Sequence, residues 1–412
     1  MRFLSLLLFS SVLALGLSQT GAAGWRTEAN RRKAAGDAAG ALAALERLEA
    51  FEPKSAALQD EIGFLLGVLQ RRSEALARFQ KAVQIDSTLA PAWFHLGAAA
   101  WLERDPNRAI PALEQAVRLA PARPEYQLRL AQAFLDVDRP EQALAPLRVL
   151  TSLEPGKAIG WQLLATALQE LRDLPGAVSA YSEAVRLDPA NNDYRNSLGL
   201  ALVAVREADR GIAEFERILA RDPSNLGVRV NIAFAHLQRS DVERAIPLLE
   251  DVIRRDSSFA AAWYNLGLAY KQKDDLTRAK SALRKALELD DKMAEAHYTL
   301  GITHWQAGEF EETAHQMRRA TELRPRYAEA YYMLGTALKQ SGDLTAAETA
   351  LREAIRLDPE NNPGPYNTLA QLLRAKGDAT GSKAAFAKGA EIKRRKESEQ
   401  ESMLSGQEKS RR

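Results

Sequence analysis

The chain has 412 residues, 46% hydrophobic and 27% charged, which are ordinary proportions for a folded polypeptide. Lys+Arg 56 against Asp+Glu 54 leaves a formal charge of +2, a balance that speaks against nucleic acid or an anionic membrane held by bulk electrostatics. There is no cysteine, so disulfides, thiolate nucleophiles and cysteine-based zinc sites are excluded.

In chain order, Met1-Arg2 is a minimal positive start and Phe3 to Leu17 is an uncharged apolar run, followed by the small and polar residues SQTGAAG. This pattern predicts a secretory signal peptide over residues 1–23, with cleavage after Ser18 or, preferred, after Ala23. The run of about 15 residues falls short of the roughly 20 that span a bilayer, so an uncleaved anchor is the runner-up and membrane contact is expected only transiently. Without cysteine no lipid-attachment box is available. An exported chain lacking disulfides fits a bacterial periplasm or exterior better than a eukaryotic secretory route.

From residue 22 onwards the sequence repeats itself every 34 residues. The frame runs 22–55, 56–89, 90–123, 124–157, 158–191, 192–225, 226–259, 260–293, 294–327, 328–361 and, after the extra Asn362, 363–396. Each unit holds two stretches of helical periodicity joined by a short polar turn, as in Ala260–Met293 with Trp263, Leu266, Gly267 and Tyr270 followed by Ala279, Leu283 and Ala286. A period of this size is the signature of a solenoid.

The recurring positions carry physical roles. The seventh is Leu96, Leu130, Leu164, Leu198, Leu266, Leu300, Leu334 and Leu369, with Ile62 and Ile232 as equivalents. The eighth is small (Gly63, Gly97, Gly199, Gly267, Gly301, Gly335, or alanine at 131, 165, 233 and 370), which lets two helices approach. The twentieth is usually alanine, and the unit closes on Pro53, Pro121, Pro155, Pro189, Pro223, Pro325 or Pro359, which end one helix and open the next. Gly36, Gly308, Gly342 and Gly377 fall between the two helices, where a left-handed cap favours glycine. Gly211 and Thr313 replace the alanine; Leu150, Ile218 and Val252 are large where a small residue is usual. In the first unit Glu28 and Arg32 occupy apolar places, which predicts a frayed helix or a polar cap.

On these residues the chain resembles the tetratricopeptide repeat. The resemblance implies an all-α, right-handed superhelical solenoid of antiparallel helix pairs, about eleven repeats over 24–396; the charged, polar composition of 397–412 predicts a disordered tail. The resemblance further implies that positions two, five, six, nine, twelve and thirteen of each first helix face a concave groove.

Read on that implication, Tyr264, Tyr298 and Tyr332 recur at position five, Asn231 and Asn265 at position six, and Lys271, Trp305 and Lys339 at position twelve. Rigid aromatic area with amides and ammonium groups suits an extended peptide; half-buried packing is the competing reading of the tyrosines. For Phe64, Phe94 and Trp101 packing is favoured. The two-rung asparagine pattern resembles the ladder in the repeats of O-linked N-acetylglucosamine transferases. The carboxylate clamp of chaperone-docking repeats is not intact: Arg129 is one candidate member, with Glu125 and Asp136 competing for it.

His297 and His304 lie on one helix and His315 on the next, so a zinc site can be drawn, but His236, His297 and His304 occupy packing positions and core histidine is favoured. No nucleophile triad or phosphate-binding glycine motif is present, so no catalytic residue, metal or cofactor is expected. The expected function is an exported scaffold that binds protein or peptide partners for assembly of an envelope, secretion or pilus-type complex. The alternative is a glycan-binding protein supporting polysaccharide export or synthesis.

Overall fold

A computed structural model describes residues 21–410; the predicted signal run and the cleavage point after Ser18 lie outside them, while Ala23 falls inside the first helix. Every element among the described residues is helical.

The N-terminal unit ends at Val205. It contains α1 (21–34), α2 (Ala38–Glu49), α3 (Ala56–Val68), α4 (Arg72–Ile85), α5 (Ala90–Leu102), α6 (Pro106–Leu119), α7 (Pro124–Asp136), α8 (Pro140–Leu153), α9 (Ala158–Glu170), α10 (Leu174–Leu187) and α11 (Asn192–Ala204). The C-terminal unit begins at Arg206. It contains α12 (Ala208–Leu219), α13 (Leu226–Gln238), α14 (Val242–Arg255), α15 (Ala260–Gln272), α16 (Leu276–Leu289), α17 (Ala294–Gln306), α18 (Phe310–Leu323), α19 (Ala328–Gln340), α20 (Leu344–Leu357), α21 (Pro363–Ala375) and α22 (Ala379–Ser410). Inside each unit sequential helices are packing neighbours, and a first helix also touches the first helix of the adjoining repeat, as α3 touches α5 and α13 touches α15. Each unit is thus a solenoid of antiparallel helix pairs.

The turn within each pair is the same in every repeat. Its fifteenth residue has positive φ in all eleven repeats: the four predicted glycines, and also Gln70, Arg104, Asp138, Arg172, Arg206, Ser240 and Asp274. The next residue closes a Schellman cap on the first helix, as when Asp275 N–H donates to the Tyr270 carbonyl at 2.9 Å. The same residue opens the second helix: the side chains of Asp37, Asp105, Asp173, Asp275, Asp343 and Asp378 each accept from the backbone N–H three residues on. One aspartate therefore serves two helix ends, which fixes the tightness of the turn.

The small eighth residue sits against the second helix. A Cβ built on Gly63 would lie 2.7 Å from Phe79, on Gly97 2.7 Å from Leu113, and on Gly335 2.6 Å from Leu351. Leu150, Ile218 and Val252 are fully enclosed and fill space that alanine leaves elsewhere. Thr313 is buried with its hydroxyl donating to the Glu309 carbonyl at 2.8 Å, which satisfies the polar atom.

A third device joins successive repeats. The fourth residue of a repeat reaches back six positions to the carbonyl that precedes its own helix. Trp93 Nε1 donates to Ser87 O at 2.9 Å, Gln127 Nε2 to Pro121 O at 2.8 Å, Trp161 Nε1 to Pro155 O at 3.0 Å and Trp263 Nε1 to Ser257 O at 2.9 Å. Arg195 and Arg229 do the same to Pro189 and Pro223. Tryptophan, glutamine and arginine are interchangeable here because each offers an N–H at the end of a long side chain.

The ends of the chain differ from expectation in detail. The helical stretch 21–34 keeps its polar residues by pairing them, Glu28 with Arg31 and Arg32, and Arg32 with Asp37, while Ala29 is fully buried. This is the polar-cap arrangement. Asn362, the extra residue, is the N-cap of α21, its side chain accepting from Gly364 N–H at 2.9 Å. The backbone of 397–410 continues α22 where the composition suggests an irregular tail; Lys393–Glu397 and Arg395–Glu399 are spaced as helical pairs.

Candidate partner-binding groove

In the C-terminal unit the residues singled out at positions five, six and twelve lie on α13, α15, α17 and α19. Tyr264, Tyr298 and Tyr332 are half-buried; Tyr264 and Tyr332 are engaged by the repeat that follows, and Tyr298 by the residue that closes its own repeat. Burial pushes the Tyr264 phenol up against an opposing hydrogen bond with Thr299. The Tyr298 ring lies 5.0 Å from Tyr327, and burial likewise raises its phenol. The Tyr332 tip abuts Gly364, where a Cβ would meet its hydroxyl at 2.9 Å. Trp305 is half-buried with Phe310 5.0 Å away.

Asn265 is 7% exposed; its amide donates to the Ala261 carbonyl at 2.8 Å, while its own oxygen has no partner among the described residues. Asn231 is half-buried. Lys339 Nζ donates to Gln371 Oε1 at 2.6 Å, and Lys271 has no ion-pair partner among the described residues. The structure therefore places all eight residues on consecutive first helices, with the three tyrosines also committed to packing.

The N-terminal unit holds a site that the sequence reading missed. A cavity of about 470 Å³ opens between the first helices α3 and α5. Phe64 is 53% exposed, Val68 52% and Leu102 60%, around a floor that includes Phe79 and His95. Phe64 is thus a correction: it is not a packed ring. Phe94 and Trp101 are packed as expected, Phe94 stacked on Tyr126 at 4.5 Å and Trp101 beneath Arg129 at 6.0 Å. Arg129 thereby faces an aromatic ring rather than Glu125, which pairs with Arg123. The signal was available in the sequence. Position thirteen is Val68 and Leu102 here, against Asp136, Glu170, Gln238, Gln272, Gln306 and Gln340 in later repeats.

Beside the cavity, His95 Nδ1 meets Asp60 Oδ1 at 2.8 Å, with the Phe64, Phe79 and Phe94 rings within 5.8 Å. Two other histidines, His297 and His304, are tied to protein groups. His297 contacts Gln316 Oε1 at 2.7 Å and the Asp291 carbonyl at 3.2 Å, so it fills the fourth-position role. His304 is buried against Glu309, which also accepts from Lys280 at 2.6 Å. His315 is exposed. The chemistry these surfaces offer is binding: apolar contact, amide hydrogen bonds and fixed cations.

Two family models, both described as tetratricopeptide repeat, match the sequence, one at residues 163–225, 231–294, 269–312 and 298–362, the other at 100–167. The chain belongs to the tetratricopeptide-repeat family. No curated protein matches it. Among solved structures, a tetratricopeptide repeat protein from Parabacteroides merdae ATCC 43184 is 15% identical with a TM-score of 0.56, over 60% of this chain and 98% of that one. MamA is 26% identical over 40% of this chain and 97% of its own, with a TM-score of 0.39. YrrB, described as having an unusual peptide-binding site, is 22% identical over 43% of this chain and 91% of its own, with a TM-score of 0.40. The likeness to the Parabacteroides merdae protein agrees with the repeat fold read from the sequence.

Proposed function

We propose that this tetratricopeptide-repeat chain is an exported, non-enzymatic scaffold that binds protein or peptide segments along the inner faces of its first helices, and serves assembly of an envelope, secretion or pilus-type complex. The observation that carries the binding role is the solvent-facing apolar surface of Phe64, Val68 and Leu102. Large apolar side chains left this open on a repeat surface mark an interaction site. Half-buried Tyr264, Tyr298 and Tyr332 with Lys271 supply a second stretch of inner face. Protein is favoured over glycan because Tyr298 leans on Tyr327 and Tyr332 on Gly364, which leaves the aromatic faces less open as sugar platforms. Export rests on the run Phe3–Leu17.

The test has two arms. Mass spectrometry of the chain recovered from cell fractions should find it outside the cytoplasm with its N-terminus at Gly24 or Gln19; an intact Met1 in the cytoplasm would refute export. Crosslinking in envelope extract should join partner proteins to the wild-type chain and lose them in either Phe64→Ser/Leu102→Ser or Tyr264→Ala/Tyr298→Ala/Tyr332→Ala. Crosslinks indifferent to both variants would remove the inner face as the binding surface.

A further inference from the structure

The cavity between α3 and α5 carries a charge pattern as well as an apolar one. Arg72 lines it, and its guanidinium has one hydrogen-bond partner among the described residues, the neutral Gln70 Oε1 at 3.2 Å. Several cations of the first two repeats are neutralised: Arg71 pairs with Glu74 at 2.7 Å, Arg78 and Lys81 with Glu49 at 2.8 and 2.7 Å, and Arg26 and Lys33 with Glu61. Arg129 on α7 lies over Trp101, and neither residue lines the cavity. The one carboxylate close to the floor, Asp60, is engaged by His95. Glu103 and Asp136 are exposed at the ends of α5 and α7, and neither lines the cavity. Leu102, Phe64 and Val68 therefore form an apolar strip with one lining guanidinium, Arg72, that lacks a protein carboxylate among the described residues.

We infer that this cavity takes a partner segment in which a large apolar side chain is flanked by acidic side chains. The inference rests on the scaffold reading above and names the partner chemistry for one part of it. The apolar side chain enters between Phe64 and Leu102, and a flanking carboxylate pairs with Arg72. Guanidinium suits this role because it binds carboxylates in a fork and is weakly hydrated.

The test uses the full exported chain and labelled, N-acetylated, C-amidated short peptides, so that no terminal carboxylate contributes. Each carries one Leu or Phe flanked by Glu, by Gln or by Lys, and binding is read by fluorescence anisotropy. The Glu-flanked peptides should bind about tenfold more tightly than the Lys-flanked ones, and Leu102→Ser should lower their affinity by about tenfold. Leu102 is exposed, so that variant should fold, as circular dichroism would verify. Arg72→Glu should erase or invert the charge preference while leaving the requirement for the apolar residue. Equal binding of all three peptide classes, or an order unmoved by Arg72→Glu, overturns the inference. So does sedimentation that shows a dimer dissociated by Leu102→Ser, since the occupant is then a second copy. Peptide binding lost only in Tyr264→Ala/Tyr298→Ala/Tyr332→Ala would sink the cavity assignment and leave the scaffold reading standing; no peptide bound by any surface would sink both.

Discussion

Gly267 on α15 faces Leu283 on α16 so closely that a Cβ on the glycine would lie 2.6 Å from the leucine Cγ. The pair sets the separation of the two helices in that repeat. Gly267→Leu should overpack it and cost about 1–3 kcal/mol in urea denaturation. Gly267→Ala should sit at the low end, because Ala131 and Ala233 are tolerated at the same place beside Leu147 and Leu249. Since repeats couple mainly to their neighbours, hydrogen exchange should speed up first within 226–327. A uniform loss of protection through the whole C-terminal unit would contradict that.

The non-glycine residues at positive φ give a prediction of opposite sign. Arg172 holds φ 64 with an exposed side chain. A left-handed conformation costs an L-residue about 1–2 kcal/mol, part of which glycine returns as unfolded-state entropy. Arg172→Gly should therefore stabilise the chain by about 0.5–1 kcal/mol. Gly342→Ala, at the equivalent turn with φ 89, should destabilise it by about 1 kcal/mol. Thermal melts of the two variants that move in the same direction would show that the turn is not what decides.

The bond from Trp263 Nε1 to Ser257 O isolates the link between repeats. Trp263→Phe keeps most of the ring and removes the donor, so it should cost about 0.5–1.5 kcal/mol. Trp263→Gln should recover part of that, since Gln127 makes the equivalent bond to Pro121. No difference between the Phe and Gln variants would mean the tryptophan acts by burial alone.

Acid should loosen the first repeats through Glu49. Burial pushes its carboxyl up, but hydrogen bonds from Lys81, Gln59 and Arg78 outweigh this and bring it to about 2 from 4.5. A folded value below the unfolded one means the stabilisation is fully present above about pH 4.5 and is lost as pH falls towards 2. Glu49→Gln should flatten the stability profile across that window while lowering stability at neutral pH. An unchanged acid profile would show that other carboxylates govern it.

The repeat frame, the helix pairs and the core positions were legible because the same physical demand recurs at a fixed spacing: Gly or Ala where helices touch, Leu where they lock. What the frame hid was variation inside one class of position. Val68 and Leu102 look like ordinary apolar residues until their burial shows them open, and Phe64, whose type suggested packing, is exposed beside them. Tyr264, Tyr298 and Tyr332 could be placed on successive first helices from sequence, but the contacts of Tyr264 with Thr299 and of Tyr332 with Gly364 depend on how one repeat leans on the next, and that of Tyr298 with Tyr327 on how its own repeat closes. The turn residues Gln70, Arg104 and Arg172 were hidden for a related reason: without glycine nothing local announces positive φ.

The most direct test of the inner-face account is hydrogen–deuterium exchange of the chain with and without the tightest-binding acidic–apolar peptide. The account predicts new protection on α3, α5 and the start of α4, where Arg72 lies, with little change on α6. Protection confined to α6 or α22, or none at saturating peptide, would contradict it.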